Sequence, residues 1–307
     1  MTSSPFQYIG LDFSKAEYKL KPYPYFVFKQ VFSEETIQSL KQQFPAALLS
    51  ERSVVAGGRR QLTNTSPEFY KFLAQSPCWG RVYREFNSEQ FVNAVMASFQ
   101  SEILRYQPLF ELEKLEFDPK LFERQSNLRS VKYYQALSHT KLLALSSKQI
   151  CKYLAVREYL RWRSKYEKLL NTGQFKVALS FDLSIAHEGY SREIHRDSDG
   201  RIAAMVVYLD DFNTGDGGSF IIHEHKIRRQ MEEYEPQPAM DQALPVAEYN
   251  PRANLGLLFL NVPNAYHSVP VISKSGFLRK FFYLGITLVG KKAWKNRFHF
   301  DYNQYLA

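Results

Sequence analysis

Four side chains in the C-terminal half have types and spacings that suit metal chemistry. His195 and Asp197 stand two residues apart in Glu193-Ile-His-Arg-Asp-Ser-Asp-Gly-Arg201, just ahead of the strand-like run Ile202-Ala-Ala-Met-Val-Val-Tyr-Leu209. Some seventy residues on, a second such run, Gly256-Leu-Leu-Phe-Leu-Asn-Val262, leads to His267 in Asn264-Ala-Tyr-His-Ser-Val-Pro-Val271. A third run opens with Arg279. Two imidazoles and one carboxylate are the donor set that holds ferrous iron by one face and leaves three positions open. A guanidinium at the start of a neighbouring strand offers a planar fork that matches a carboxylate with two bonds.

The set carries the argument, not any one histidine. Seven occur, at 139, 187, 195, 223, 225, 267 and 299, and a single histidine is more often a hydrogen-bonded structural residue than a ligand. A rival pairing, His223-Glu224-His225, follows the Gly217-Gly218 turn and opens a polar stretch, so it reads as a solvated strand end.

These residues must be positioned by strands. After Gly173, runs at 175–183, 202–209, 219–223, 256–262 and 279–289 are short and divided by turns such as Asn213-Thr-Gly-Asp-Gly-Gly218. The pattern predicts an all-β core, a sandwich or jelly roll. Residues 224–254 are polar and contain proline, and they predict a long loop or lid.

The first part of the chain has a different period. Residues 22–30 predict a strand. Ser33, followed by Glu34 and Glu35, predicts a capped helix with Ile37, Leu40 and Phe44 on one face. Residues 50–65 read as a plain loop, because Gly57-Gly58-Arg59-Arg60 lacks the fuller spacing of a phosphate-binding turn. Ser66-Pro67-Glu68 starts a helix to about Gln75, and further helices are expected at 78–86 and 89–104. Residues 105–130 read as loop with some strand. A helical pattern over 147–170 closes at Asn171-Thr-Gly173. The expected fold class is α+β, with an N-terminal strand and helices (1–115), a helical insert (116–172) and a β core (173–307) in one compact domain.

The net charge of +9 is concentrated. Residues 120–170 hold twelve Lys or Arg against three Glu, a surplus of nine, so the rest of the chain is near neutral. This basic insert suits a solvated helix face or recruitment of an anionic substrate. Nucleic acid ranks last, because the aromatic–basic interleaving of a single-strand groove is lacking. Two distant cysteines, Cys78 and Cys151, give no disulfide framework and point to a reducing compartment. The start lacks the regions of a signal peptide, and no stretch reaches the roughly 18 apolar residues of a membrane span. A cytoplasmic location away from membranes is expected.

The last 130 or so residues resemble the iron(II)/2-oxoglutarate-dependent oxygenases, specifically the prolyl-hydroxylase-like branch. The resemblance runs through His195-Arg-Asp-Ser-Asp-Gly-Arg201, Val206-Val-Tyr-Leu209, Gly217-Gly218, Leu257-Leu-Phe259, His267-Ser-Val-Pro270 and Arg279. It implies a double-stranded β-helix (jelly-roll) core with added helices, and iron held by His195, Asp197 and His267. It also implies 2-oxoglutarate bound through its C5 carboxylate to Arg279, with a hydrogen bond from Tyr208. The implied reaction is hydroxylation of a C–H bond by O2, with succinate and CO2 as co-products and ascorbate as a reductant. Its substrate would be a small molecule or peptide, with Arg192 and Arg201 as candidate contacts.

The sequence departs from that pattern at the anchor, which stands twelve residues past His267, farther than in relatives. A longer turn at Ser273-Lys-Ser-Gly276 accounts for it. Lys280 competes for the role, and strand alternation favours Arg279, which shares a face with Phe281 and Tyr283. Related nucleic-acid dealkylases carry an arginine where this chain has Gly285, and related halogenases replace the carboxylate that Asp197 supplies here. From another class, a non-catalytic metal-binding jelly roll could act as sensor or scaffold. A scaffold has no need of an open metal face beside an anchoring arginine.

Overall fold

In the computed structural model, residues 9–52, 54, 58–124, 175–213, 215–273, 276 and 278–298 are described. The helix expected over 147–170, and most of the basic insert, lie outside them. The strands are β1 (Glu17–Lys19), β2 (Tyr25–Phe28), β3 (Arg59–Thr63), β4 (Leu115–Phe117), β5 (Phe175–Ala186) and β6 (Arg192–His195). They continue with β7 (Arg201–Tyr208), β8 (Phe220–His225), β9 (Ala243–Tyr249), β10 (Gly256–Leu260), β11 (His267–Val269) and β12 (Arg279–Leu288). The larger sheet has the order β1-β2-β10-β7-β12-β5-β3, with β4 parallel to the start of β5; the smaller has the order β6-β11-β8-β9.

Helices α1 (Glu34–Gln42), α2 (Ala46–Ser50), α3 (Pro67–Gln75), α4 (Pro77–Phe86), α5 (Glu89–Ser98) and α6 (Gln100–Arg105) come from the N-terminal part. Ser33 caps α1, its Oγ accepting from the Thr36 amide at 3.2 Å, and Ser88 caps α5 in the same way at 3.1 Å. Several of the helices pack on one face of the larger sheet. Trp79 and Phe86 of α4 each have ring centroids 5.7 Å from Phe282 on β12, and Phe69 of α3 lies 5.9 Å from Phe181 on β5. The smaller sheet meets the other face, where Phe220 and His267 lie 5.7 and 5.0 Å from Phe259 on β10. Covered on both sides, β7 is buried at every position, so it shows a continuous apolar run and no alternation.

Three expectations need correction. The 50–65 stretch is not all loop, because its second half forms β3, an edge strand whose Leu62 is buried opposite Leu183. Four of its five residues are polar, so pairing with β5 and not intrinsic preference makes it a strand. Residues 224–254 likewise are not all loop, since β9 pairs along β8 at the rim of the smaller sheet. Its Pro245 and its exposed Leu244 and Val246 hide the strand signal. The single helix expected over 89–104 is broken at the fully buried Phe99 into α5 and α6.

The turn before β8 packs tightly. Gly217 has φ +77°, and a Cβ there would lie 1.9 Å from the Val271 carbonyl oxygen. Only glycine lets this turn close on the segment that joins His267 to Arg279.

Candidate metal centre and its pocket

The two predicted histidine ligands are cross-strand partners. His195 ends β6, His267 begins β11, and the register pairs them directly, with ring centroids 4.4 Å apart. Asp197 lies in the turn that follows. Its amide donates to Asn261 Oδ1 at 3.1 Å, and Asn261 Nδ2 donates to the carbonyls of Ser198 and Arg201, both at 3.1 Å. Fully buried Asn261 thus pins the turn to the end of β10. Ligand atoms of His195, Asp197 and His267 all lie within 4.8 Å of one another.

Each side chain has one atom engaged elsewhere. His195 Nδ1 is 2.7 Å from the Glu193 carbonyl, and His267 Nδ1 is 3.1 Å from the Ala265 carbonyl. A carbonyl only accepts, so Nδ1 carries the proton and Nε2 keeps its lone pair for a metal. Asp197 accepts the Tyr283 hydroxyl on Oδ2, and its Oδ1 is 4.0 Å from His267 Nε2. The Arg201 guanidinium lies 5.1 Å from the Tyr283 ring centroid and donates to Ser180 Oγ at 3.2 Å. It fills the space above Gly285, where a Cβ would come within 2.4 Å of Arg201 Cζ.

The electrostatics favour the ligating protonation states. Burial pushes His195 well down from the usual imidazole range, and His267 and Arg192 add to the shift. Burial lowers His267 as well. For Asp197 burial works the other way, but His267, Arg201, His195 and the Tyr283 hydrogen bond outweigh it and bring the carboxyl to about 2. The site therefore presents two neutral imidazoles and one carboxylate.

Arg279 opens β12 and is 2% exposed. Its Nη2 donates to the Tyr208 hydroxyl at 3.1 Å, and its guanidinium lies 4.7, 5.0 and 5.8 Å from the ring centroids of Phe281, Tyr208 and Tyr190. Among the described residues no carboxylate pairs with it, and its buried Nε has no partner. A buried charge is costly unless paired, so an anion brought into contact with this guanidinium would be favoured. Lys280 faces the other way and pairs with Asp210 at 3.6 Å.

His195, Asp197, His267 and Arg279 line one cavity of about 100 Å³ between the two sheets. Val206, Phe220, Val269 and Phe281 form its apolar wall, while Arg59, Asp182, Tyr190, Arg192, Arg201 and Tyr283 supply polar groups beside the triad and Arg279. Arg192 and Arg201, the candidate substrate contacts, both reach it. Tyr208 touches it through Arg279. The His223–His225 pair stays apart, His223 Nε2 lying 2.7 Å from Ser268 Oγ and His225 Nδ1 2.7 Å from the Ile227 carbonyl. A donor set with one open side, and a separate unpaired cation in the same cavity, fit Fe(II) and 2-oxoglutarate.

The chain is similar to solved structures of iron/2-oxoglutarate oxygenases, prolyl hydroxylases among them. HygX from Streptomyces hygroscopicus, with nickel, 2-oxoglutarate and hygromycin B bound, aligns with TM-score 0.42 and 11% identity over 88% of this chain and 85% of that one. The α-ketoglutarate-dependent carbocyclase SnoK from nogalamycin biosynthesis aligns with TM-score 0.41 and 10% identity over 89% and 83%. The prolyl 4-hydroxylase from Phytophthora capsici aligns with TM-score 0.41 and 11% identity over 86% of this chain, which spans only 59% of the length of that protein. No protein-family model and no curated protein matches the chain. The donor set, not the likeness, decides what the site can hold.

Asn261, Tyr283, Tyr190, Asp182 and Arg59 escape a search for ligands. Tyr283 had a signal, since it alternates onto the face of Arg279. For Asn261 the signal was weaker, a lone amide between two apolar residues at a strand end.

Proposed function

We propose that the chain is an Fe(II)/2-oxoglutarate-dependent dioxygenase that hydroxylates a C–H bond of a small molecule or peptide. One observation carries the reading: an open His195–Asp197–His267 cluster shares a cavity with a buried arginine that has no anionic partner among the described residues. The two facing sheets are then the halves of a double-stranded β-helix. When bound, iron with 2-oxoglutarate and O2 supplies oxidative cleavage of a C–H bond, with succinate and CO2 formed alongside.

The chain supplies geometry. Glu193 and Ala265 fix the imidazole tautomers through their carbonyls, and Asn261 and Tyr283 hold Asp197 from two sides. Arg279, oriented by Tyr208, binds the distal carboxylate of the co-substrate through charge-assisted hydrogen bonds. Val206, Phe220, Val269 and Phe281 keep water from the reacting side.

The test is succinate formation from 2-oxoglutarate by anaerobically iron-loaded protein, with His195→Ala and Arg279→Ala beside it. Turnover without added substrate, abolished in the first variant and poorly rescued by excess 2-oxoglutarate in the second, is the expected result. Neither turnover nor 2-oxoglutarate binding in the wild type would sink the enzyme and favour the scaffold.

A further inference from the structure

The cavity is more positive than the proposed cofactors require. Four arginines, Arg59, Arg192, Arg201 and Arg279, face two aspartates, Asp182 and Asp197, an excess of two positive charges. A ferrous ion adds two charges and 2-oxoglutarate removes two, so the excess persists once both are bound.

Arg59 carries the part of that excess with no visible structural duty. It opens β3 at the rim of the larger sheet, is half-buried, and makes no ion pair or side-chain hydrogen bond among the described residues. The register places Arg59 opposite Ala186 on β5, and Ala186 opposite Arg279 on β12. Directly opposed residues share a face, so both arginines project toward the cavity side. Their backbones lie two strand spacings apart, roughly 10 Å. The residue between them, Ala186, is small and fully buried. One pair further along the same face stand Gln61 and Ser184, whose buried Oε1 and Oγ have no partner among the described residues. The β3–β5 wall thus brings a cation to the cavity, apart from the groups that would hold metal and co-substrate, with two unpartnered polar atoms on the same face of the wall.

We propose that Arg59 is the anion-reading residue of the prime-substrate site, and that the substrate carries a carboxylate or phosphate held against the β3–β5 wall. This rests on the oxygenase reading of the same cavity and names the class of substrate it takes. Arg192, on the facing sheet, lines the same cavity and adds to its positive charge.

The experiment is calorimetric titration of the full chain, loaded with Ni(II) and saturated with 2-oxoglutarate, using inorganic phosphate and acetate as separate probes. The wild type is expected to bind at least one probe saturably, and the preferred probe tells a phosphoryl from a carboxyl substrate. Arg59→Gln should weaken that binding at least tenfold while Arg59→Lys stays within about threefold of wild type. Affinity for 2-oxoglutarate should remain within about twofold in Arg59→Gln and collapse in Arg279→Gln. Probe binding that is absent, or equal in wild type and Arg59→Gln, overturns the proposal and leaves the oxygenase reading intact. A loss of 2-oxoglutarate affinity in Arg59→Gln also overturns it, by assigning Arg59 to the co-substrate. Wild type that binds neither Ni(II) nor 2-oxoglutarate removes the oxygenase reading, and this proposal with it.

Discussion

Four buried histidines lie on or beside the smaller sheet, and only two of them converge on a site. His195 and His267 are held at Nδ1 by a carbonyl two residues earlier, so both Nε2 atoms point at a shared space with Asp197. His223 instead uses Nε2 on Ser268, and among the described residues His225, whose buried Nε2 has no partner, joins no metal-binding group. Two buried arginines show the same contrast. Arg196 is 2% exposed and paired with Asp199 at 2.7 Å, whereas equally buried Arg279 has no acidic partner among the described residues. Burial does not distinguish a functional side chain from its structural twin. What distinguishes it is the atom left uncommitted.

The largest expected effect tests the histidines. His195→Ala or His267→Ala should weaken Fe(II) or Ni(II) binding by more than about 100-fold, beyond the usual loss for an outer-shell partner. His225→Ala should leave metal affinity within a few-fold, as equilibrium titration with a chelator would show. Comparable losses in both pairs would break the contrast.

The arginines should separate by readout. Arg279→Gln is expected to cost about 2–5 kcal/mol of 2-oxoglutarate affinity, some 30-fold or more, with the melting temperature of the ligand-free protein unchanged or raised. Arg196→Gln should do the reverse, losing about 2 kcal/mol of stability with the charged hydrogen bond to Asp199, which keeps Lys292 at 3.9 Å. Tyr283→Phe sharpens the comparison within the site, because it frees Asp197 Oδ2 without touching a ligand. Metal affinity should fall about 10-fold, and the visible spectrum of Co(II)-loaded protein should change.

The smallest effect is a pH dependence. Burial and His267 depress His223 to about 4, below the 6.5 of an unfolded histidine. Between those values the unfolded chain binds the extra proton, so the metal-free protein loses stability as pH falls from about 6.5 toward 4. His195 and His267 are lowered as well and add to that slope, so His223→Gln should reduce it in melting curves without abolishing it, and an unchanged slope would remove His223 as a source.

The site was legible in the chain wherever chemistry needs a fixed type at a strand end. His195, Asp197, His267 and Arg279 stand beside runs whose apolar character is itself strong. The supporting residues were harder to see because they act through register. Tyr283 reaches Asp197 across the sheet, and Arg201 fits only because Gly285 has no side chain. The missed strands share one cause. β3 and β9 are polar or exposed rim strands, and β6 and β11 have four and three residues, too short to show a period. Their structure comes from partners distant in sequence, which local pattern does not record.

Both rims of the larger sheet are built from the first 63 residues, with a timing consequence during synthesis. β2 pairs with β10, Phe28 opposite Gly256, and β3 pairs with β5, Leu62 opposite Leu183. A nascent chain therefore carries Tyr25-Phe-Val-Phe28, buried at every position in the finished protein, long before its docking strand leaves the ribosome. Pairings this remote in sequence form slowly, because the intervening loop must be closed first. β2 is thus made well before the strand it docks on, and until that pairing forms its apolar side chains are exposed to aggregation.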